Sequence, residues 1–177
     1  MFSVTCNYPC TVAESTIITL PDAELFKRKA LQWANNFRVV CLLDSNNYHH
    51  KKYKNKEWIL AVDAIDEILC NTNCFEELEK FRHKSNADIF GFFSYDLKNE
   101  TEKLKSNNCD ELKFPEVYFF KPRYVFEITE SKLTVNRNYP ETFALVELVN
   151  SQPETTHHQS SVFLSSRTSK EKYLENV

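Results

Sequence analysis

One residue type is almost missing, and its scarcity constrains the fold more than any motif. The chain has 177 residues and a single glycine, Gly91, where average usage of about 7% predicts about twelve. Phosphate-cradling loops and dinucleotide fingerprints need several glycines for close backbone approach, so both are excluded. The G-x-S-x-G nucleophile elbow is excluded for the same reason. Turns have to be built from Asn, Asp, Ser and Pro, of which Asn tolerates left-handed backbone well. The one glycine falls inside an apolar run, Ile89 to Tyr95, where a lone strand glycine marks a bulge or a close backbone approach.

A chain of this length is one ordinary domain, or two small ones at most. Its apolar residues (42%, with 14% aromatic) supply a core and exclude disorder for the bulk of the chain. Lys and Arg number 22 against 25 Asp and Glu, a net charge of −3, which is no footprint for nucleic acid. The run His49-His50-Lys51-Lys52, with Lys54 and Lys56, reads as a solvated loop. No apolar stretch approaches the ~18 residues of a membrane span. Met1 to Cys10 has neither the basic nor the apolar region of a signal peptide, so a cytoplasmic location is expected. The six cysteines are then expected as reduced thiols. Cys6/Cys10 and Cys70/Cys74 are four apart, while Cys41 and Cys109 stand alone. None forms a C-x-x-C pair, so no metal site is expected. Cys41, inside Val39 to Leu43, reads as core packing.

The hydrophobic pattern predicts a short strand over Thr16 to Leu20, then a helix opened by Pro21-Asp22-Ala23-Glu24 with Pro at the first helical position. That helix stops at Asn35-Asn36. A buried strand follows over Phe37 to Leu43, closed by the turn cluster Asp44-Ser45-Asn46-Asn47. Trp58 to Val62 and Ile65 to Leu69 read as two strands joined by a turn near Asp63-Ala64. Cys74 to Lys84 reads as a helix with Asn73 as its cap, Ile89 to Tyr95 as a strand, and Leu97 to Leu104 as a short helix. Val117 to Ile128 and Lys132 to Asn136 make a hairpin turning at Glu130-Ser131. Thr142 to Val149 is a strand or a short helix, and Asn150 to Ser161 a polar linker. Thr168-Ser169-Lys170-Glu171 matches a capping box, so a last helix is expected to begin there. Its apolar face, Tyr173, Leu174 and Val177, is begun and left incomplete, so this chain is expected to be the front part of a longer one.

A search for converging catalytic groups finds none. The histidines fall at His49-His50, His83 and His157-His158. Adjacent histidines diverge on a strand or a helix and make no simple two-ligand site. Glu76, Glu77 and Glu79 read as a solvated helix face, and Asp63 and Asp66 as turn residues. On its residues alone, this chain looks like a scaffold or binding domain without catalytic machinery of its own.

Three segments carry a resemblance: Trp33 to Ser45, with Leu42-Leu43-Asp44-Ser45 at its end; Gly91-Phe92-Phe93-Ser94-Tyr95-Asp96-Leu97-Lys98-Asn99-Glu100, followed by Glu102 and Leu104; and Phe114-Pro115-Glu116-Val117-Tyr118-Phe119-Phe120-Lys121-Pro122. In order and spacing they resemble the N-terminal region of component I of the chorismate-utilising synthases. The aminodeoxychorismate (para-aminobenzoate) synthase branch is the nearer one, and anthranilate synthase its sister. The closing Ser169-Lys170-Glu171-Lys172-Tyr173 resembles the opening of the first catalytic helix in that family.

The resemblance implies an α+β fold: an antiparallel sheet with helices on one face, one half of a four-layer α/β/β/α architecture. It divides the chain into an N-terminal domain, 1–165, and the start of the C-terminal chorismate-binding region, 166–177. The intact enzymes aminate chorismate with ammonia from a glutamine amidotransferase subunit. Their catalytic residues and Mg²⁺ ligands belong to the C-terminal region, which implies a partner in the same chain and no catalytic residue here. The family also implies a tryptophan pocket. Ser45 matches its motif serine, and Tyr53, Lys54, Asn55 and Lys56 stand where a Tyr-Ser-Arg-Phe-like stretch adds contacts. Gly91 also departs from the pattern, because Phe92 and Phe93 stand where more glycines are common. Tyr95 and Asp96 are expected to fix the sheet-to-helix corner, with Asp96 capping the helix from Leu97. The alternative reading is a free-standing small-molecule or subunit-binding module.

Overall fold

The computed structural model describes residues 16–46, 48, 56–85, 87–102, 112–135, 142–154 and 169–175. In chain order these form β1 (Thr16–Thr19), α1 (Ala23–Ala34), β2 (Val40–Asp44), β3 (Trp58–Cys70), α2 (Cys74–Ser85), β4 (Phe90–Phe93), α3 (Lys98–Thr101), β5 (Val117–Thr129), β6 (Lys132–Val135), α4 (Thr142–Asn150) and α5 (Lys170–Glu175). A 3-10 turn, Tyr95–Leu97, leads into α3. The strands make one six-stranded sheet in the order β1-β6-β5-β3-β2, with β4 on the remaining stretch of β5. Every pairing is antiparallel, and the fold is the expected α+β class.

The expected hairpin within 58–69 is instead one continuous strand. The turn signal at Asp63 is real: its φ is 65°. But β5 runs past both halves, pairing Trp58–Val62 with Tyr124–Ile128 and Asp66–Cys70 with Val117–Lys121. The break therefore becomes a bulge, with a register shift between Ala64 and Asp66. Pro122, which has no amide hydrogen to give a ladder, sits opposite Ala64 at that irregularity. Asp63 is held from two sides: its N–H donates to Val39 O at 3.0 Å, and its carboxylate accepts from Arg123 Nε at 2.7 Å. Asp63 and Asp66 are thus bulge residues rather than turn residues.

One face of the sheet is closed by helices. The carboxylate of Asp22 accepts the Leu25 N–H at 2.8 Å and caps α1, so Pro21 precedes the cap and is not the first helical residue. Phe26, Ala30, Trp33 and Ala34 then fall on the buried side of α1. They pack on Trp58, Leu60, Val62, Phe126 and Ile128 of the sheet, together with Leu145, Val146 and Val149 of α4. Trp33 stands edge-on to Phe126 at 5.6 Å and to Tyr124 at 5.3 Å. Thr142 to Val149, left open between strand and helix, is helical because that face completes the core. Phe37 packs on Trp33 instead of starting the next strand, which begins at Val40. The last helix is capped by Ser169, whose Oγ accepts the Lys172 N–H; Thr168 lies outside the described residues. No helix among the described residues is long and apolar enough to cross a membrane.

The other face carries a second cluster, of Val39, Ala61, Phe120 and Val125, with Cys41, Ile59, Phe90 and Tyr118 packed against it. No described helix contributes to it. Cys41 is half-buried there, in the packing role expected of it.

Gly91 shows why it cannot be another residue. A Cβ on it would stand 2.0 Å from the backbone oxygen of Tyr118 and 2.6 Å from the Cα of Phe119. Neither can swing away as a side chain tip can. Gly91→Ala is expected to lower stability by about 1–3 kcal/mol or more, read as a lower urea midpoint with faster amide exchange in Phe90–Phe93. An unchanged midpoint would sink this account of the close approach.

Candidate functional site

The first candidate region is the end of β2. Ser45 N–H donates to Glu57 O at 2.8 Å, and Tyr48 N–H donates to Ser45 O at 2.8 Å. Asp44 Oδ1 accepts the Asn46 N–H at 2.8 Å, an Asx turn that lets Asn46 sit at φ 47°. The side-chain cap of this turn is therefore Asp44. Ser45 is half-buried and shares this end of the sheet with Lys56, the neighbour of Glu57. Lys56 Nζ is bonded to Glu127 of β5, so its charge is already engaged. Tyr53, Lys54 and Asn55 lie outside the described residues, as do His49, His50, His157 and His158. His83 lies on exposed α2, 3.7 Å from Glu79.

The second region is the corner after β4. Here the structure corrects the assignment of roles. Asp96 does not cap the following helix: it pairs with Lys98 at 3.1 Å, and the cap positions are Ser94 for the 3-10 turn and Leu97 for α3, neither with a side-chain bond. Tyr95 is 82% exposed, with Lys98 Nζ 3.9 Å above its ring. The corner is fixed by the residues around them. Leu97 is buried against Cys74 and Val117. Ser94 N–H donates to Glu116 O at 2.8 Å. Glu100 receives the Cys74 N–H on both carboxylate oxygens, at 2.8 and 3.1 Å. A residue 26 positions away thus supplies the first amide of α2 with its acceptor, while Asn73, at φ 53°, stands at the expected cap position and accepts the Glu77 N–H on its backbone oxygen at 3.1 Å.

This brings together three groups that spacing along the chain did not connect. The donor atoms of Cys74, Glu100 and Glu116 all lie within 4.8 Å of one another, and the Cys74 thiol is 4.0 Å from Glu116 Oε2. Burial, then the neighbouring Cys70 thiol and Glu100, push Cys74 up to about 12. Burial, then the charges of Glu100 and Asp96, raise Glu116 above the usual carboxylate range. The Mg²⁺ implied by the resemblance wants an octahedron of oxygens. This grouping, the one of its kind among the described residues, contains a thiol and does not fit that ion.

The third region is the sheet face that no described helix covers. A row of rings crosses it from Phe114 to Phe92 (6.0 Å), Tyr118 (6.0 Å), Phe120 (6.2 Å) and Phe90 (6.4 Å). Beside it, Arg38 donates to both oxygens of Glu67 at 2.7 and 2.8 Å, and Tyr118 Oη donates to the same carboxylate at 2.8 Å. The bond from Arg38, then that from Tyr118, holds Glu67 below its usual range.

Comparison with known families gives one match, to the family described as chorismate binding enzyme, over residues 28–177. The chain belongs to the chorismate binding enzyme family. The match begins within α1 and includes all three regions above. A search of curated proteins returns no match.

Glu116 carries a pH prediction. A carboxyl whose folded-state pKa is raised stabilises below its unfolded value and loses that contribution as pH rises through the folded one. Glu116→Gln copies the protonated form. In the presence of a chelator it is expected to raise the denaturation midpoint at neutral pH, with the gain vanishing below the carboxylate range. A gain that persists at low pH would overturn this electrostatic origin.

Proposed function

We propose that this chain is the N-terminal, non-catalytic portion of an aminodeoxychorismate synthase component I. The observation that carries the reading is a sheet face that no described helix covers, with its row of aromatic rings, in a member of the chorismate binding enzyme family. Apolar sheet faces are buried in stable folds, and the four-layer architecture of such synthases buries this one against the sheet of the chorismate-binding region. In this reading the partner region converts chorismate and ammonia to 4-amino-4-deoxychorismate for folate synthesis. A glutamine amidotransferase subunit supplies the ammonia, and Mg²⁺ is held by the partner region. The protein works in the cytoplasm, in keeping with the free thiols of Cys41, Cys70 and Cys74.

The complete polypeptide that carries these residues, given chorismate and ammonium, is expected to form aminodeoxychorismate, identified by mass. Fluorescent anthranilate instead would move the protein to the tryptophan-pathway branch. No turnover by the complete polypeptide would favour a free-standing binding module.

The same reading assigns Ser45 to a tryptophan pocket, with Tyr53, Lys54, Asn55 and Lys56 nearby. Its support is that Asp44 caps the β2 turn by its side chain, while Ser45 holds that turn through its backbone. Calorimetric titration with tryptophan is expected to give a dissociation constant at least tenfold weaker for Ser45→Ala, as for a lost bond to a charged ligand group. No heat from either protein, each refolded free of carried-over tryptophan, would remove the pocket.

A further inference from the structure

We propose that Cys70, Cys74, Glu100 and Glu116 form a site for one thiophilic divalent cation of the Zn²⁺ class. It would clip together the end of β3, the start of α2, α3 and the approach to β5. Four segments converge here, and of the ligands only Cys70 and Cys74, four residues apart, are neighbours in sequence. The donor atoms of Cys74, Glu100 and Glu116 already lie within 4.8 Å of one another. In a tetrahedral Zn²⁺ sphere with bonds of about 2.0–2.3 Å, neighbouring ligands stand about 3.3–3.8 Å apart. The closure required is on the order of 1 Å, within reach of side-chain rotation. Cys70, thiol beside thiol with Cys74 in the same cluster but outside that 4.8 Å grouping, gives the fourth ligand once its side chain turns inward.

The surroundings suit a cation rather than a packing accident. Glu116 is fixed at its backbone from two sides, its N–H donating to Asn71 Oδ1 at 3.1 Å and its carbonyl accepting from Ser94 N–H. Yet the contact its carboxylate makes among the described residues is to the Cys74 thiol, at 4.0 Å. A half-buried carboxylate held in place and turned toward a second carboxylate and a thiol is an arrangement that positive charge would relieve. Leu78, Leu97, Val117 and Phe119 wall the thiol on the inner side, and the exposed side chain of Glu100 leaves a path from solvent. The thiols select the ion, since soft ligands favour Zn²⁺ over Mg²⁺ or Ca²⁺. Binding requires Cys74 to lose its proton to solvent, so affinity rises with pH.

The test uses the whole reduced chain, with Co²⁺ as the spectroscopic stand-in for Zn²⁺. The expected result is one ion per chain, a thiolate-to-cobalt charge-transfer band, proton release on binding, and displacement by Zn²⁺. Cys74→Ser should abolish the band. Glu116→Gln, which circular dichroism should find folded, should weaken the ion at least tenfold and so lose the Zn²⁺-dependent rise in melting temperature. No band overturns the proposal. So does a band undiminished in Cys74→Ser, which would place the ion on other cysteines. If Cys74→Ser does not fold, Glu116→Gln decides, and unchanged affinity in it overturns the site.

Discussion

The pairing of β3 with β5 is the constraint on which the other elements depend. It is the longest ladder in the sheet, and it is interrupted at Asp63–Asp66. The alternation of β5 slips there. Tyr118 and Phe120 face the uncovered side, as does Val125, while Tyr124 and Phe126 face α1. An unbroken strand could not keep Phe120 and Val125 on one face, because an odd separation puts residues on opposite sides. The bulge therefore lets the two halves of one long ribbon serve different helices, α1 and α4 at one end and α2 at the other. The Arg123–Asp63 pair is modest in itself, being partly exposed. Its value is geometric, since it sits at the residue whose left-handed backbone makes the slip.

Much of this was legible along the chain. The Asp22–Ala34 helix, the Asn35-Asn36 stop, the hairpin at Glu130-Ser131 and the special place of Gly91 each follow from local chemistry. Three features escape for one cause. The bulge was read as a turn because local signals at Asp63 are the same for both, and only the partner strand decides. The capping of α2 by Glu100 was invisible because a cap supplied from 26 residues away leaves no pattern near the helix. The Cys74–Glu100–Glu116 grouping was missed for the same reason: metal-ligand spacing rules describe ligands close in sequence, and these come from separate segments.

The corner at Tyr95 separates recognisability from mechanical role. Tyr95 and Asp96 are the most distinctive residues of their segment, yet they face solvent and each other's neighbour Lys98. The restraint comes from less conspicuous residues: Gly91 through its missing Cβ, Ser94 through its amide, Leu97 through burial and Glu100 through its carboxylate. A pair fixing the corner would have been buried in it, and Tyr95 is not.

What can pack on the sheet face that no described helix covers depends on the charges it carries. Covering a sheet face strands any charged group that lacks partners, and a stranded charge costs more than apolar contact returns. Glu67 is the charge most exposed to that risk. It already accepts two bonds from Arg38 and one from Tyr118, so its carboxylate carries its partners with it. The row of rings from Phe114 to Phe90 can then be packed against without leaving an anion unpaired at its edge. The internal pairing of Glu67 thus leaves no unpaired anion beside the row of rings.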